Sequence, residues 1–249
     1  MEGTKCKTAK RILAALLAVL AVLALLALGV GLYAGDYYHA DGVAVAALAP
    51  AGKVTVEQEK DMVVFRPEAP SATGFIFYPG GKVEFTAYAP LLLELAEQGM
   101  QCVLPEMPLN LAVLDVNAAD GIREQYPEIQ TWYIGGHSLG GSMAASYAAK
   151  NARDFAGLIL LASYSTADLR ESDLKVLSVY GSEDGVLNME KYQEYSAMLP
   201  EDTVEIVIPG GNHAGFGSYG VQEGDGAAAI SQQEQVQQTA AAITAFVSG

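Results

Sequence analysis

The sequence predicts an α/β protein in which helices cover both faces of a mostly parallel sheet, preceded by one N-terminal apolar helix. Three observations carry this. From Gly74 onward the hydrophobic pattern alternates between short β-type runs and stretches with helical spacing, as successive β-α units require. No internal repeat or second hydrophobic core breaks the alternation, so 53–249 reads as one domain, long enough to bury a substantial core. At the other end, residues 12–35 are 24 consecutive positions without a charge, mostly Leu, Ala and Val.

The leader comes first along the chain. Residues 1–11 hold Lys5, Lys7, Lys10 and Arg11 against one acid, Glu2. A helix over 12–35 reaches about 36 Å, enough to cross a hydrocarbon layer of about 30 Å. Cations precede the apolar run, and Asp36 and Asp41 follow it. The reading is therefore a cytoplasmic basic segment at 1–11 and a single-pass transmembrane anchor at 12–35, with the body extracytoplasmic. The competing reading is a signal peptide, which would leave the body secreted. Its apolar stretch is normally only about 7–15 residues, and small-x-small patterns near the end, such as Ala27-Leu28-Gly29, are weak cleavage signals. Cys6 and Cys102 fall on opposite sides of the membrane in the anchor reading and cannot pair. Cys102, in the apolar run 101–104, reads as a buried strand residue.

Residues 36–52, with His39, Pro50 and Gly52, read as a linker leading away from the membrane. β-type runs at 54–57 and 62–65, separated by charges, read as a hairpin. Further strands are expected at 75–78, 101–104, 131–134, 158–161, 176–180 and 204–208. Helices are expected over 86–98, 116–125, 139–151, 189–198 and 231–246.

Composition excludes several classes. The 51% hydrophobic content is too high for a disordered chain, and two Cys are too few for a disulfide scaffold. Of the 14 Lys and Arg, four lie in 1–11, leaving 10 in the body; of the 29 Asp and Glu, one lies there, leaving 28. A body that acidic is repelled by phosphate backbones, so no nucleic-acid partner is expected. Nucleotide loops fit poorly as well: Gly80-Gly81-Lys82 is followed by Val83, not Ser or Thr, and no Gly-x-Gly-x-x-Gly opens a helix.

The chemistry begins where strand 131–134 runs into Gly135-Gly136-His137-Ser138-Leu139-Gly140-Gly141 and a helix follows. Gly136-x-Ser138-x-Gly140 is the pattern of a nucleophile elbow, in which flanking residues must lack bulk so that the central Ser projects from a strained turn. A Ser at neutral pH needs a base, and the chain has three His. His39 lies in the linker, and His137 points away from where its neighbour Ser138 projects. His213, in the loop after the last strand, is the candidate. Its orienting carboxylate is read as Asp184, in the turn Gly181-Ser182-Glu183-Asp184-Gly185, with Glu183 and Asp168 as rivals.

The order Ser138, Asp184, His213, each after a strand, resembles the α/β-hydrolase superfamily, over about 53–249. It is most similar to the small Ser-dependent branch grouped with dienelactone-hydrolase-like proteins, with Ser at the elbow where true dienelactone hydrolases carry Cys. The resemblance implies an α/β-hydrolase fold and an oxyanion hole built from two backbone amides. One is that of Leu139; the other comes from the turn Pro79-Gly80-Gly81-Lys82, from Gly81 or alternatively Lys82. Only 14 residues, 162–175, separate two strands where many relatives insert a cap, so an open crevice without a cap domain is expected. Its walls are expected from Tyr78, Pro105, Met107, Phe216 and Tyr219, with the Gly-rich segment 215–226 beside His213. The function these features imply is a membrane-tethered serine hydrolase acting on a small ester or related acyl substrate through an acyl-enzyme, with no cofactor or metal. An acyltransferase with the same triad, or a binding module without chemistry, is the alternative. Nothing in the sequence sets the oligomeric state.

Overall fold

The computed structural model describes residues 2–49 and 52–249; Met1 of the basic segment and Pro50 and Ala51 of the expected linker lie outside the described residues, as do the side chains of residues 2–12, Cys6 among them, and of Ala27. The chain divides into two units, 1–37 and 38–249. The first is helix α1, Glu2–Gly35. Its apolar stretch Leu13–Gly35, 23 residues, is long and apolar enough to cross a membrane, and its place near the N-terminus suits a signal sequence equally.

The second unit is built on eight strands: β1 Val54–Gln58, β2 Met62–Pro67, β3 Thr73–Tyr78, β4 Gln101–Pro105, β5 Thr131–His137, β6 Gly157–Leu161, β7 Lys175–Gly181 and β8 Val204–Ile208. They form one sheet in the order β1-β2-β4-β3-β5-β6-β7-β8. β1, β2 and β4 pair antiparallel; β4, β3 and all later strands run parallel. The sheet is therefore mostly parallel, and the expected hairpin is β1–β2.

Strand parity divides the core. Along β3, Phe75 and Phe77 face one layer with Leu91, Leu92 and Leu95 of helix α3 (Ala89–Glu97) and Val236, Ala240 and Ile243 of helix α7 (Gln232–Ser248). Ile76 and Tyr78 face the other, with Ala144, Ala145 and Ala148 of helix α5 (Leu139–Lys150). Both faces of the central strands are thus covered, which is why they read as continuous apolar runs. Each fully buried Phe or Ile here contributes about 1.5–3 kcal/mol relative to exposure. Cys102 is a free thiol wholly within this core, and burial pushes its pKa well up, so it is unreactive.

Three expectations need correcting. The linker is largely part of the folded body. Tyr38 N–H donates to Lys82 O and Glu84 N–H to Tyr38 O, and Asp41 caps the short helix α2 (Gly42–Ala47), which buries Ala44 and Ala47. The helix expected over 116–125 shrinks to α4, Ile122–Gln125, because Gly121 at φ 75° ends a series of turns there. The helix expected over 86–98 begins as a 3₁₀ turn, Phe85–Tyr88, and becomes α-helical only at Ala89, where Pro90 suits a first turn. Helix α6 spans Met189–Ser196, capped by Asn188. α7 starts at a capping box of Ser231 and Glu234. Among the described residues no helix occurs between β6 and β7, the place expected for a cap.

Strand order reverses at β3, with β4 on one side and β5 on the other. In open α/β sheets the crevice at the carboxyl ends of such a pair is where ligands bind. The turns after β3 and β5 are Gly80-Gly81 and Ser138.

Candidate active site

Ser138 lies between β5 and α5 at φ 53°, ψ −124°, outside the regions an L-residue favours. Strain of this kind costs roughly 1–3 kcal/mol and persists only where neighbours impose it. Here Ser138 N–H donates to Leu161 O at 2.9 Å, and Ser163 Oγ donates to Ser138 O at 2.7 Å. A Cβ on either Gly136 or Gly140 would run into the Tyr78 carbonyl oxygen, so the elbow closes only with glycine at both places. Gly140→Ala is accordingly expected to lower stability by about 1–3 kcal/mol, the range for forced overpacking. Denaturant unfolding checks this, and an unchanged midpoint would contradict it.

The residues expected as base and acid, His213 and Asp184, meet in a buried setting. His213 Nδ1 is 2.9 Å from Asp184 Oδ2, with the two side chains 2% and 1% exposed. Asp184 Oδ1 accepts from the amides of Val186 (2.9 Å) and Leu187 (2.7 Å). The rivals are engaged elsewhere: Glu183 accepts from the Ser182 hydroxyl, and Asp168 is an exposed partner of Arg170, whose guanidinium holds its carboxyl down to about 2. His39 is an exposed neighbour of Glu84. His213 Nε2 is buried with no hydrogen-bond partner among the described residues. Ser138 and His213 line one cavity of about 250 Å³.

The turn after β3 comes up beside the elbow. A Cβ on Gly81 would stand 2.8 Å from Leu139 Cδ2, so these two residues pack directly together. Among the described residues, the amides of Gly81 and Leu139 donate to no acceptor. The Lys82 amide donates to Asn110 O at 2.8 Å and the Gly80 amide to Tyr88 Oη at 3.1 Å. That leaves Gly81, not Lys82, with an N–H available beside Leu139.

A family model for the alpha/beta hydrolase family matches residues 74–237, about two thirds of the chain and the span containing all of these turns. The chain belongs to the alpha/beta hydrolase family. Solved structures agree on the fold of this hydrolase. Est1E from Butyrivibrio proteoclasticus is 12% identical, with a TM-score of 0.56 over 80% of this chain and 100% of that one. A structure of Est1E with ferulic acid bound is 12% identical and gives 0.58 over 79% and 97%. A predicted CIB-like hydrolase from Thermoplasma acidophilum, 16% identical, gives 0.56 over 77% and 99%. No curated protein sequence matches.

The walls of the hydrolase's cavity differ from those expected. Tyr78 is wholly buried, its Oη donating to Val116 O and accepting from the Ala119 amide, so it braces the turns before α4. Pro105 and Met107 line a separate hollow with Asp61 and Glu106. Phe216 is buried against the His137 ring, and Tyr219 against Tyr38 and Tyr88. None of these residues lines the cavity at Ser138. Its walls are instead Leu139, Ser142, Ala162, Ser163, Tyr164 and the segment 186–188. The signal for 162–164 was topological: they follow β6, whose carboxyl end shares the Ser138 edge. Ala162, at φ 45°, turns the chain there. Tyr164 is stacked on Tyr195, rings 5.5 Å apart and 6° from parallel.

Asp225 also carried no sequence signal. Its carboxylate accepts from the amides of Gly185, His213, Ala214 and Gly226, which fastens the Asp184 turn to the His213 loop. Gln235 of α7 braces the same loop through both the N–H and C=O of Asn212. No cluster of three or more His, Cys, Asp or Glu arranged for a metal ion occurs among the described residues.

His137 is buried beneath this assembly, 1% exposed, its ring centroid 4.5 Å from that of His213. Burial holds its pKa well below the ordinary imidazole value. The His213 ring pushes the same way, and the His213 backbone opposes both. Below pH of about 6.5 the unfolded chain takes up a proton at this residue that the folded chain refuses, so stability declines by up to about 1.4 kcal/mol per pH unit. The contribution is intact above that pH and is lost on acidification. The thermal midpoint is expected to fall between about pH 7 and pH 5, and His137→Gln is expected to flatten part of that slope; equal slopes would assign the loss to other groups.

Proposed function

We propose that this chain is a membrane-tethered serine hydrolase that cleaves a carboxylic ester or related acyl bond through an acyl-enzyme. The observation that carries the reading is that His213, paired with the buried Asp184, lines one cavity with Ser138 at a strained elbow. With Asp184 accepting from Nδ1–H, the imidazole keeps its lone pair on Nε2, the tautomer a general base needs. His213 Nε2 takes the Ser138 proton as Oγ attacks the carbonyl carbon. The oxyanion settles on the amides of Leu139 and Gly81, each such donor typically worth about 10²–10³ in turnover. His213 then protonates the leaving alkoxide, Asp184 balancing the imidazolium, and water repeats the sequence on the acyl-Ser138.

Small polar and apolar walls, with no cationic side chain among them, favour a neutral, compact acyl group. Est1E, which binds ferulic acid, adds aromatic acyl esters to those worth testing, and Tyr164 at the cavity wall suits a flat ring. Lys5, Lys7, Lys10 and Arg11, ahead of the apolar stretch Leu13–Gly35, favour a cytoplasmic N-terminus and an extracytoplasmic body, which is secreted instead if the leader is cleaved. The test is a panel of short-chain alkyl and aryl esters on the full chain in detergent. Release of free acid is expected, and acyl transfer to an added alcohol instead would make it an acyltransferase. No turnover together with no fluorophosphonate labelling would overturn the enzyme reading.

A further inference from the structure

We propose that Tyr88 and His137 are positioning residues that tie the Gly80-Gly81 turn to the His213 imidazole, so that oxyanion donor and base are set as one unit; this rests on the roles given above to Ser138, His213 and Gly81. The link is continuous. The Gly80 N–H donates to Tyr88 Oη at 3.1 Å, and Tyr88 Oη is 2.8 Å from His137 Nδ1. The His137 ring lies against that of His213, centroids 4.5 Å apart and planes at 52°. Tyr88 is 0% exposed and His137 1%. The turn is moulded to this pair: a Cβ on Gly80 would stand 2.5 Å from Tyr88 Oη and 2.9 Å from His137 Nδ1.

The protons can be placed by counting donors and acceptors. Tyr88 Oη already accepts from Gly80, and the one acceptor beside it is His137 Nδ1. If Oη–H donates to Nδ1, the remaining N–H is the buried Nε2–H of His137, which lies by the His213 backbone without a bond of full hydrogen-bond geometry. The reverse arrangement leaves both the Tyr88 hydroxyl proton and the Nε2 lone pair unpaired in a dry site, which costs more. His137 is therefore a neutral, fixed acceptor.

Each connection has a consequence for reaction geometry. The Gly80 bond sets the peptide next to Gly81 and with it the direction of the Gly81 N–H. The His137 ring packs, tilted, against the imidazole that Asp184 holds at Nδ1. His137 is also covalently joined to Ser138, so nucleophile, base and oxyanion donor are referred to one rigid group. A misplacement of about 1 Å at such a centre can cost about 10²-fold in rate.

Tyr88→Phe removes one oxygen and preserves the buried ring. In the full chain in detergent, with a p-nitrophenyl ester, kcat is expected to fall about 10-fold or more while KM stays within about twofold. The rate of fluorophosphonate labelling at Ser138 is expected to fall by the same factor, since that reaction uses the same base and donors. His137→Gln is expected to act alike, and the double variant to be no worse than the poorer single, because both act through one link. Wild-type kcat in Tyr88→Phe, whatever its melting temperature, would overturn the proposal, as would losses that multiply in the double variant. Should His137→Gln not fold, Tyr88→Phe decides alone. A wild-type chain that neither turns over esters nor labels at Ser138 would instead sink the hydrolase reading, and this proposal with it.

Discussion

Ser138→Ala is expected to abolish ester turnover, by a factor on the order of 10⁴–10⁶, and to eliminate fluorophosphonate labelling. The residual rate would come from the oxyanion amides and binding alone. Folding should survive, because both bonds that hold the elbow use Ser138 backbone atoms: its N–H to Leu161 O and its C=O from Ser163 Oγ. Alanine keeps both. Steady-state kinetics beside a melting curve make the comparison, and labelling that persisted in the variant would place the nucleophile elsewhere.

Asp184→Asn carries the second large effect, a loss of about 10⁴ in kcat, and the geometry says why. Oδ1 of Asp184 accepts two backbone amides, from Val186 and Leu187, so an asparagine must present its carbonyl oxygen to them. That turns its NH₂ toward His213 Nδ1, where Asp184 Oδ2 now sits. A donor facing Nδ1 forces the proton onto Nε2, and the imidazole can no longer accept from Ser138. The loss therefore arises from the wrong tautomer as well as from the missing charge. More than a tenth of wild-type kcat in Asp184→Asn would contradict this account. The side-chain size and the Val186 and Leu187 bonds are retained, so melting should shift far less than activity.

Legibility varied with how local the cause was. Central strands such as β3 and β5 were plain because burial on both faces demands unbroken apolar runs. The Gly136-x-Ser138-x-Gly140 turn was plain because its steric demand lies within five residues. Helix α2 was hidden: six residues with one cap form a helix only when Ala44 and Ala47 have something to pack against. The false helix at 116–125 shows the converse, apolar spacing defeated by Asn117, Asp120 and the positive-φ Gly121. The expected crevice walls failed for a reason of parity and depth. Tyr78 and Phe216 are aromatic and close in sequence to the right turns, but their side chains point into packed layers. Tyr88 falls within the run expected to be helical and carries no signal of its own there, since its hydroxyl partners come from residues 8 and 49 positions away.

By itself, then, the amino-acid order determined the alternating architecture, the strand-to-helix turn that can present an alcohol, and the short roster of imidazoles and carboxylates able to serve it. Those are consequences of periodicity, bulk and residue chemistry, all of which act over a few neighbours. Tertiary structure alone decided that Asp184 and not Asp168 faces His213, that the Gly81 amide is open while that of Lys82 is occupied, and that Ser163 and Tyr164 wall the cavity. Each depends on which chain segments fold back beside one another, and hydrogen bonds between such segments leave no mark on the spacing of residues within either.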